Sequence, residues 1–158
     1  METILKSANK TKYQLLYDDE QDAFDRKTIN SKLQGKENIL IIIQYEHHQF
    51  GYFTSSKIPF DDDQWKKIPT ENSTSFAFVK DYGKFKILHS SSNESCLYLN
   101  INNNDDSILL AVRHFFYLRS NGSYISEKTY HYFNYQFNNE LIYPNRFDHS
   151  KLLIYQLF

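Results

Sequence analysis

Five consecutive aliphatic residues, Ile39-Leu40-Ile41-Ile42-Ile43, follow Asn38 and precede Gln44-Tyr45. Successive side chains of a strand point to opposite faces, so this run is apolar on both. Neither face can be left in water, and the segment is predicted to be a central strand covered from two sides. Ile41 and Ile43 are expected to project one way, Leu40 and Ile42 the other, with a short helix over residues 26–34, through Ile29 and Leu33, covering one side and a second sheet the other. Residues 49–54 are predicted to return as a neighbouring strand, with Glu46-His47-His48 turning the chain. Gly51 in that strand is expected where a side chain would crowd the packing or disturb a bulge.

The rest of the chain has the same character. Residues 13–17 form a short apolar and aromatic strand. Asp25 is placed to cap a short helix over residues 26–34, with Ile29 and Leu33 at i, i+4 spacing and Gly35 as its stop. Residues 59–69 read as a loop with one helical turn. Residues 75–80 and 84–89 alternate through Phe76, Phe78, Phe85 and Ile87 about Asp81-Tyr82-Gly83, the strongest local hairpin signal present. Residues 96–101, 108–119, 130–137 and 151–158 are further strand candidates. Residues 1–12 are polar and without period, and are read as a flexible leader ahead of a single domain over residues 13–158. Eight or nine strands with one clear helix predict a mainly β, α+β fold: a two-sheet antiparallel β-sandwich with short flanking helices.

Composition narrows the function. Aromatic residues make up 17% of the chain, which favours strands. Four glycines and three prolines leave no GxGxxG or GxxxxGK[ST] phosphate cradle, and turns must rely on Asn, Asp and Ser. A single cysteine, Cys96, excludes an internal disulfide and a CxxC site, and suggests a reducing compartment. The formal charge of −1 gives no global field toward nucleic acid or anionic membrane. No apolar run approaches the length of a membrane span, so no membrane insertion is expected. Residues 1–13 contain no apolar stretch of the signal-peptide kind. The plain reading is a soluble protein of the cytoplasm, with the nucleus second.

Each candidate for chemistry has a plainer explanation. Glu46-His47-His48 combines carboxylate and imidazole, the ligands zinc takes, but adjacent residues on extended backbone point apart, so solvated turn residues are preferred. Asp61-Asp62-Asp63 lacks the alternating spacing that wraps calcium. Cys96 precedes a strand, where an inert buried thiol is the common outcome. His114 and His131 lie on aromatic strands and are read as packed. No nucleophile carries a GxSxG-type signature. No catalytic residue, metal or cofactor is therefore assigned. Lys84 and Lys86 share one strand face and Lys80 is near across the turn, so with Tyr82 they form a basic, aromatic hairpin that could touch nucleic-acid backbone, although charged outer faces are usual on sandwiches and a solvated face is preferred.

The order of elements resembles the TLDc domain family. Leu15-Leu16-Tyr17 is similar to its "LLY" strand, Phe24 and the helix with Leu33 to the helix that follows, and Ile39–Ile43 to its "vlvLi" strand. Phe50-Gly51-Tyr52-Phe53 corresponds to "vFGgy" and Ser75-Phe76-Ala77-Phe78 to "aFLFsL". Leu97-Tyr98-Leu99 and Phe115-Phe116-Tyr117-Leu118 fall where two further family strands belong, and residues 151–157 resemble the terminal "dieiwaf" strand. The resemblance runs over about residues 13–158. The chain departs from the pattern where Leu110-Ala111-Val112-Arg113-His114 replaces a glycine-rich stretch, and where Leu153 and Tyr155 replace an acidic residue and a tryptophan.

The resemblance implies a β-sandwich with flanking helices and no established catalytic centre. It also implies roles in oxidative-stress resistance, binding to the vacuolar proton pump in several members, and nuclear coactivation in some. The expected function is thus a non-enzymatic protein-interaction module in the oxidative-stress response, with a proton pump or another protein as partner. The alternative is a DNA-binding transcription regulator using Lys80, Lys84 and Lys86.

Overall fold

The computed structural model describes residues 1–60, 66–68, 74–89, 97–99, 108–129, 133, 146–149 and 151–158. Within these residues two helices and twelve strands are present, and the strands build two six-stranded antiparallel sheets. In the first, β1 (Tyr13–Asp18), β12 (Lys151–Leu157), β2 (Ile39–Tyr45), β3 (His48–Thr54), β5 (Ser75–Asp81) and β6 (Lys84–Leu88) lie side by side in that order. In the second, the order is β11 (Arg146–Phe147), β10 (Ser123–Ile125), β9 (Phe116–Arg119), β8 (Ile108–Val112), β7 (Leu97–Leu99) and β4 (Lys66–Ile68).

The aliphatic run is the central strand that its two apolar faces require. All five residues of Ile39–Ile43 are buried, between β12 on one side and β3 on the other. Ile39, Ile41 and Ile43 face the second sheet, in a core with Tyr52, Leu110, Val112, Phe116 and Leu118. Phe50 spans the two layers, its ring 5.8 Å from Phe115, 5.7 Å from Phe116 and 5.3 Å from Phe147. Leu40 and Ile42 face outward into a second cluster with Phe53, Phe76, Phe78 and Leu157.

The cover of that outward cluster corrects the sequence reading twice. The helix α2 (Arg26–Leu33) was expected there, but Ile29 and Leu33 belong to the inter-sheet core with Ile41 and Ile43. The outward face is covered by α1 (Glu2–Ser7), whose Ile4 is 2% exposed, with Leu5 and Ala8 beside it. The supposed leader is thus packed against the sheet. Its exit is tied to the far end of the chain, since Thr11 and Lys12 donate backbone hydrogen bonds to the Phe158 carbonyl and Phe158 donates back to Lys12.

Local signals fared well elsewhere. The Asp25 carboxylate accepts from the Thr28 amide at 2.8 Å and from its hydroxyl at 3.0 Å, satisfying a donor that the first helical turn leaves unpaired. Gly35 follows with φ +72°, as a helix stop needs. Tyr82 and Gly83 both have positive φ (45° and 81°), the backbone of a two-residue type I′ turn, and Asp81 pairs with Lys84 across it.

Other expectations are corrected. The stretch 108–119 is a hairpin rather than one strand, because Arg113-His114-Phe115 turn the chain and Phe115 donates to the Val112 carbonyl. Residues 66–68, expected in a loop with a helical turn, pair with β7. Of 130–137, only Phe133 is described; it is buried and donates to the Thr129 carbonyl in helical fashion. No helix among the described residues is long and apolar enough to cross a membrane.

Candidate functional site at the paired hairpin ends

Two hairpins of the first sheet end at the same place. β2 and β3 are joined through Glu46-His47, β5 and β6 through Tyr82-Gly83, and β3 pairs with β5 so that Gln49 lies opposite Lys80. This register sets the β2–β3 turn beside Asp81. The His48 Nδ1 is 3.1 Å from Asp81 Oδ1, and the His47 Nε2 is 3.8 Å from the same oxygen. That oxygen is sealed from solvent, and no donor is aligned on it for a hydrogen bond.

The two imidazoles lie close together, with ring centroids 4.0 Å apart and planes tilted by 39°. His47 also packs on Tyr82 at 4.5 Å, and His48 stacks on Tyr45 at 6.3 Å with an 11° interplanar angle. One ligand atom from each of Glu46, His47 and His48 lies within 4.8 Å of the other two. These ligand atoms lie closer together than alternation along an extended strand would set them. Alternation holds for extended backbone, but Glu46 has φ +51° and His47 lies in the turn, so only His48 is on a strand. Burial pushes the Tyr45 hydroxyl above its ordinary range, helped by the Glu46 charge and a hydrogen bond with it.

Asp81 escaped the sequence reading because nothing local connects it to the histidines. The only available signal was the alternating hairpin around it, once β3 is assumed to pair with β5.

The basic hairpin is divided by the same register. Lys84 and Lys86 lie opposite Asp81 and Val79 and share the face that looks toward the second sheet. Lys80 lies opposite Phe85, which stacks on Phe78 in the outward cluster. Lys80 is therefore on the other face from Lys84 and Lys86, not grouped with them. His114 is located at the β8–β9 turn with φ +60°. Cys96, Asp61-Asp62-Asp63 and His131 lie outside the described residues.

A second polar cluster fastens β12 to the segment after β1. His149 Nε2 is 2.9 Å from Asp19 Oδ2, whose other oxygen accepts from the Leu152 amide at 2.9 Å. Lys151 donates to Glu20 at 2.8 Å, which with nearby Asp18 and Asp19 raises the lysine above its ordinary range. These side chains pair with one another across the two segments while Asp19 also holds the Leu152 amide, so this cluster reads as architecture.

The fold and element order meet an independent finding. The family model for the TLDc domain matches residues 1–144 of the 158. No curated protein matches the chain. The matched stretch takes in α1, which the resemblance in the sequence left out, and ends before β12, which that resemblance had included. With most of its length matched, this chain belongs to the TLDc domain family.

Proposed function

We propose that this TLDc-family chain is a non-enzymatic interaction module that works in the oxidative-stress response by engaging a protein partner in the cytoplasm. The observation that carries the reading is the family match over residues 1–144. A structural feature favours it. β1 is at an edge of its sheet among the described residues, and Tyr13 and Leu15 on it are 52% and 42% exposed. An open strand edge with exposed apolar side chains is a surface to which a partner adds by main-chain pairing and side-chain contact. The resemblance to pump-binding members makes the vacuolar proton pump the first partner to look for.

The test is recovery of the tagged chain from peroxide-treated cells, with partners identified by mass spectrometry, alongside survival of cells that lack it. Peroxide-sensitive cells rescued by the chain, and a specific partner lost in Leu15→Asp, are the expected result. Normal survival without the chain, no partner, and turnover of a metabolite by the pure protein would overturn the reading.

A further inference from the structure

The hairpin-end cluster has a composition and geometry that partner binding does not use. Three potential ligand atoms, from Glu46, His47 and His48, already lie within 4.8 Å of one another. Ligand atoms on one tetrahedral ion stand about 3.4 Å apart for bonds of roughly 2.0–2.2 Å. Glu46 is exposed, so rotation of its side chain closes the remaining gap without disturbing the core. The imidazoles are held by aromatic neighbours, Tyr45 against His48 and Tyr82 against His47. Restricted rings lose less freedom when they bind a ligand.

The second observation is the Asp81 oxygen. A buried carboxylate oxygen with no aligned donor is costly, and its nearest ring nitrogen is His48 Nδ1 at 3.1 Å. Behind a metal-bound histidine a carboxylate commonly takes the proton-bearing nitrogen of the ring, fixing the tautomer and turning the other nitrogen to the ion. Asp81 stands where that role requires. The Glu46 and Asp81 carboxylates beside the two rings also supply local negative charge that suits a dication.

We propose that Glu46, His47 and His48, backed by Asp81, bind one divalent cation of the zinc class. Mixed imidazole and carboxylate donors select borderline ions such as zinc, copper or nickel over calcium and magnesium, which take all-oxygen shells. Three protein ligands leave one position to water, and the exposure of Glu46 and His47 makes the ion exchangeable. The bound ion would tie the β2–β3 turn, through His48 and Asp81, to the β5–β6 turn.

The experiment is calorimetric titration of the whole chain with zinc chloride at pH 7 in chelator-free buffer. The expected result is saturable binding of one ion per chain, with the imidazole NMR signals of His47 and His48 shifting and those of His149 unmoved. His47→Gln and Glu46→Gln, both at exposed turn positions, should each weaken binding at least tenfold. Asp81→Asn should weaken it by about 10- to 100-fold, and His89→Gln should leave it unchanged. Circular dichroism establishes that each variant is folded; should Asp81→Asn unfold, the two turn variants decide. No saturable binding by the folded chain, calcium binding as tightly as zinc, or wild-type affinity in both turn variants would overturn the proposal.

Discussion

The ring of Phe78 lies over Gly51, so that a Cβ built on the glycine would stand 2.7 Å from Phe78 Cε1. The two residues are direct partners across β3 and β5. The same Cβ would collide with the Ile41 carbonyl oxygen, a backbone atom of the central strand. Gly51→Ala is expected to cost about 3 kcal/mol or more, at the upper end of overpacking penalties. A urea titration checks this as a lowered midpoint at unchanged slope. Because the tighter clash is with backbone, adding Phe78→Ala should not restore stability. Restoration would show that only the ring excludes a side chain.

Asp25 caps α2, and its hydrogen bonds from Thr28 hold its carboxyl below the ordinary 3.8. Asp25→Ala should cost about 1 kcal/mol at neutral pH. A depressed folded pKa contributes stability above the unfolded value and loses it as pH falls through the folded one. The gap between wild type and Asp25→Ala should therefore narrow below pH 3.8. Denaturant midpoints of both proteins at pH 7 and in acid decide it; a gap that stays constant would mean the charge is irrelevant to the cap.

Tyr17 is fully buried at the end of β1 and donates its hydroxyl to the Ala23 carbonyl at 3.2 Å. Burial first, then Asp19 and the other nearby aspartates, drive its pKa well above the usual 10.0. A raised folded pKa gives stability that is complete below the unfolded value and is lost as pH climbs past it. Tyr17→Phe should lose about 1 kcal/mol at neutral pH with its hydrogen bond, and should decline less steeply as pH rises above 10.0. Tyr45, Tyr124 and Tyr155 are shifted the same way, so the alkaline slope is reduced rather than removed. Parallel declines in the two proteins would rule Tyr17 out as a source of alkaline sensitivity.

What was legible in the sequence was local or doubly determined. Ile39–Ile43 announces a central strand because no one-faced element suits it, and Tyr82-Gly83 announces its turn because two positive φ values suit few residue pairs. Gly51 was legible for the same reason, being one of only four glycines. The break at residues 113–115 carries no glycine, proline or Asn/Asp turn signal between two apolar runs, and His114 takes a left-handed conformation that glycine usually signals. It falls in the stretch where the family pattern is glycine-rich.

The candidate site was legible only in part. Glu46, His47 and His48 are visible as a ligand-like triplet, but the two-residue period that sets adjacent side chains apart does not hold in the turn that Glu46 and His47 form. Asp81 reaches His48 through the pairing of β3 with β5, a relation made by tertiary structure between residues 33 positions apart in the chain. The separation of Lys80 from Lys84 and Lys86 has the same origin: the hairpin register that brings the strands together also assigns each lysine its face.

The least legible element was α1, and it carries the most consequential expectation. Six residues with one fully buried side chain, Ile4, give no helical period, so a polar leader was the reasonable reading. The need for it was nonetheless written into β2, because Leu40 and Ile42 had to be covered by something. Ile42→Asp would place a carboxylate without a partner under α1 and should cost several kcal/mol, comparable to the stability of a domain this size. Removing residues 1–8 should uncover Leu40, Ile42, Phe53 and Phe76 together, lowering the melting temperature and producing binding of a hydrophobic dye that the whole chain does not bind. Ile4→Ala should show a milder form of both effects, with a loss of about 2 kcal/mol at the low end for buried aliphatic truncation, since a short helix can settle into the space. A truncated chain that melts with the full one and stays dye-free would show that α1 does not cover the sheet. Ile42→Asp melting within a few degrees of wild type would take Ile39–Ile43 out of the centre of the sandwich.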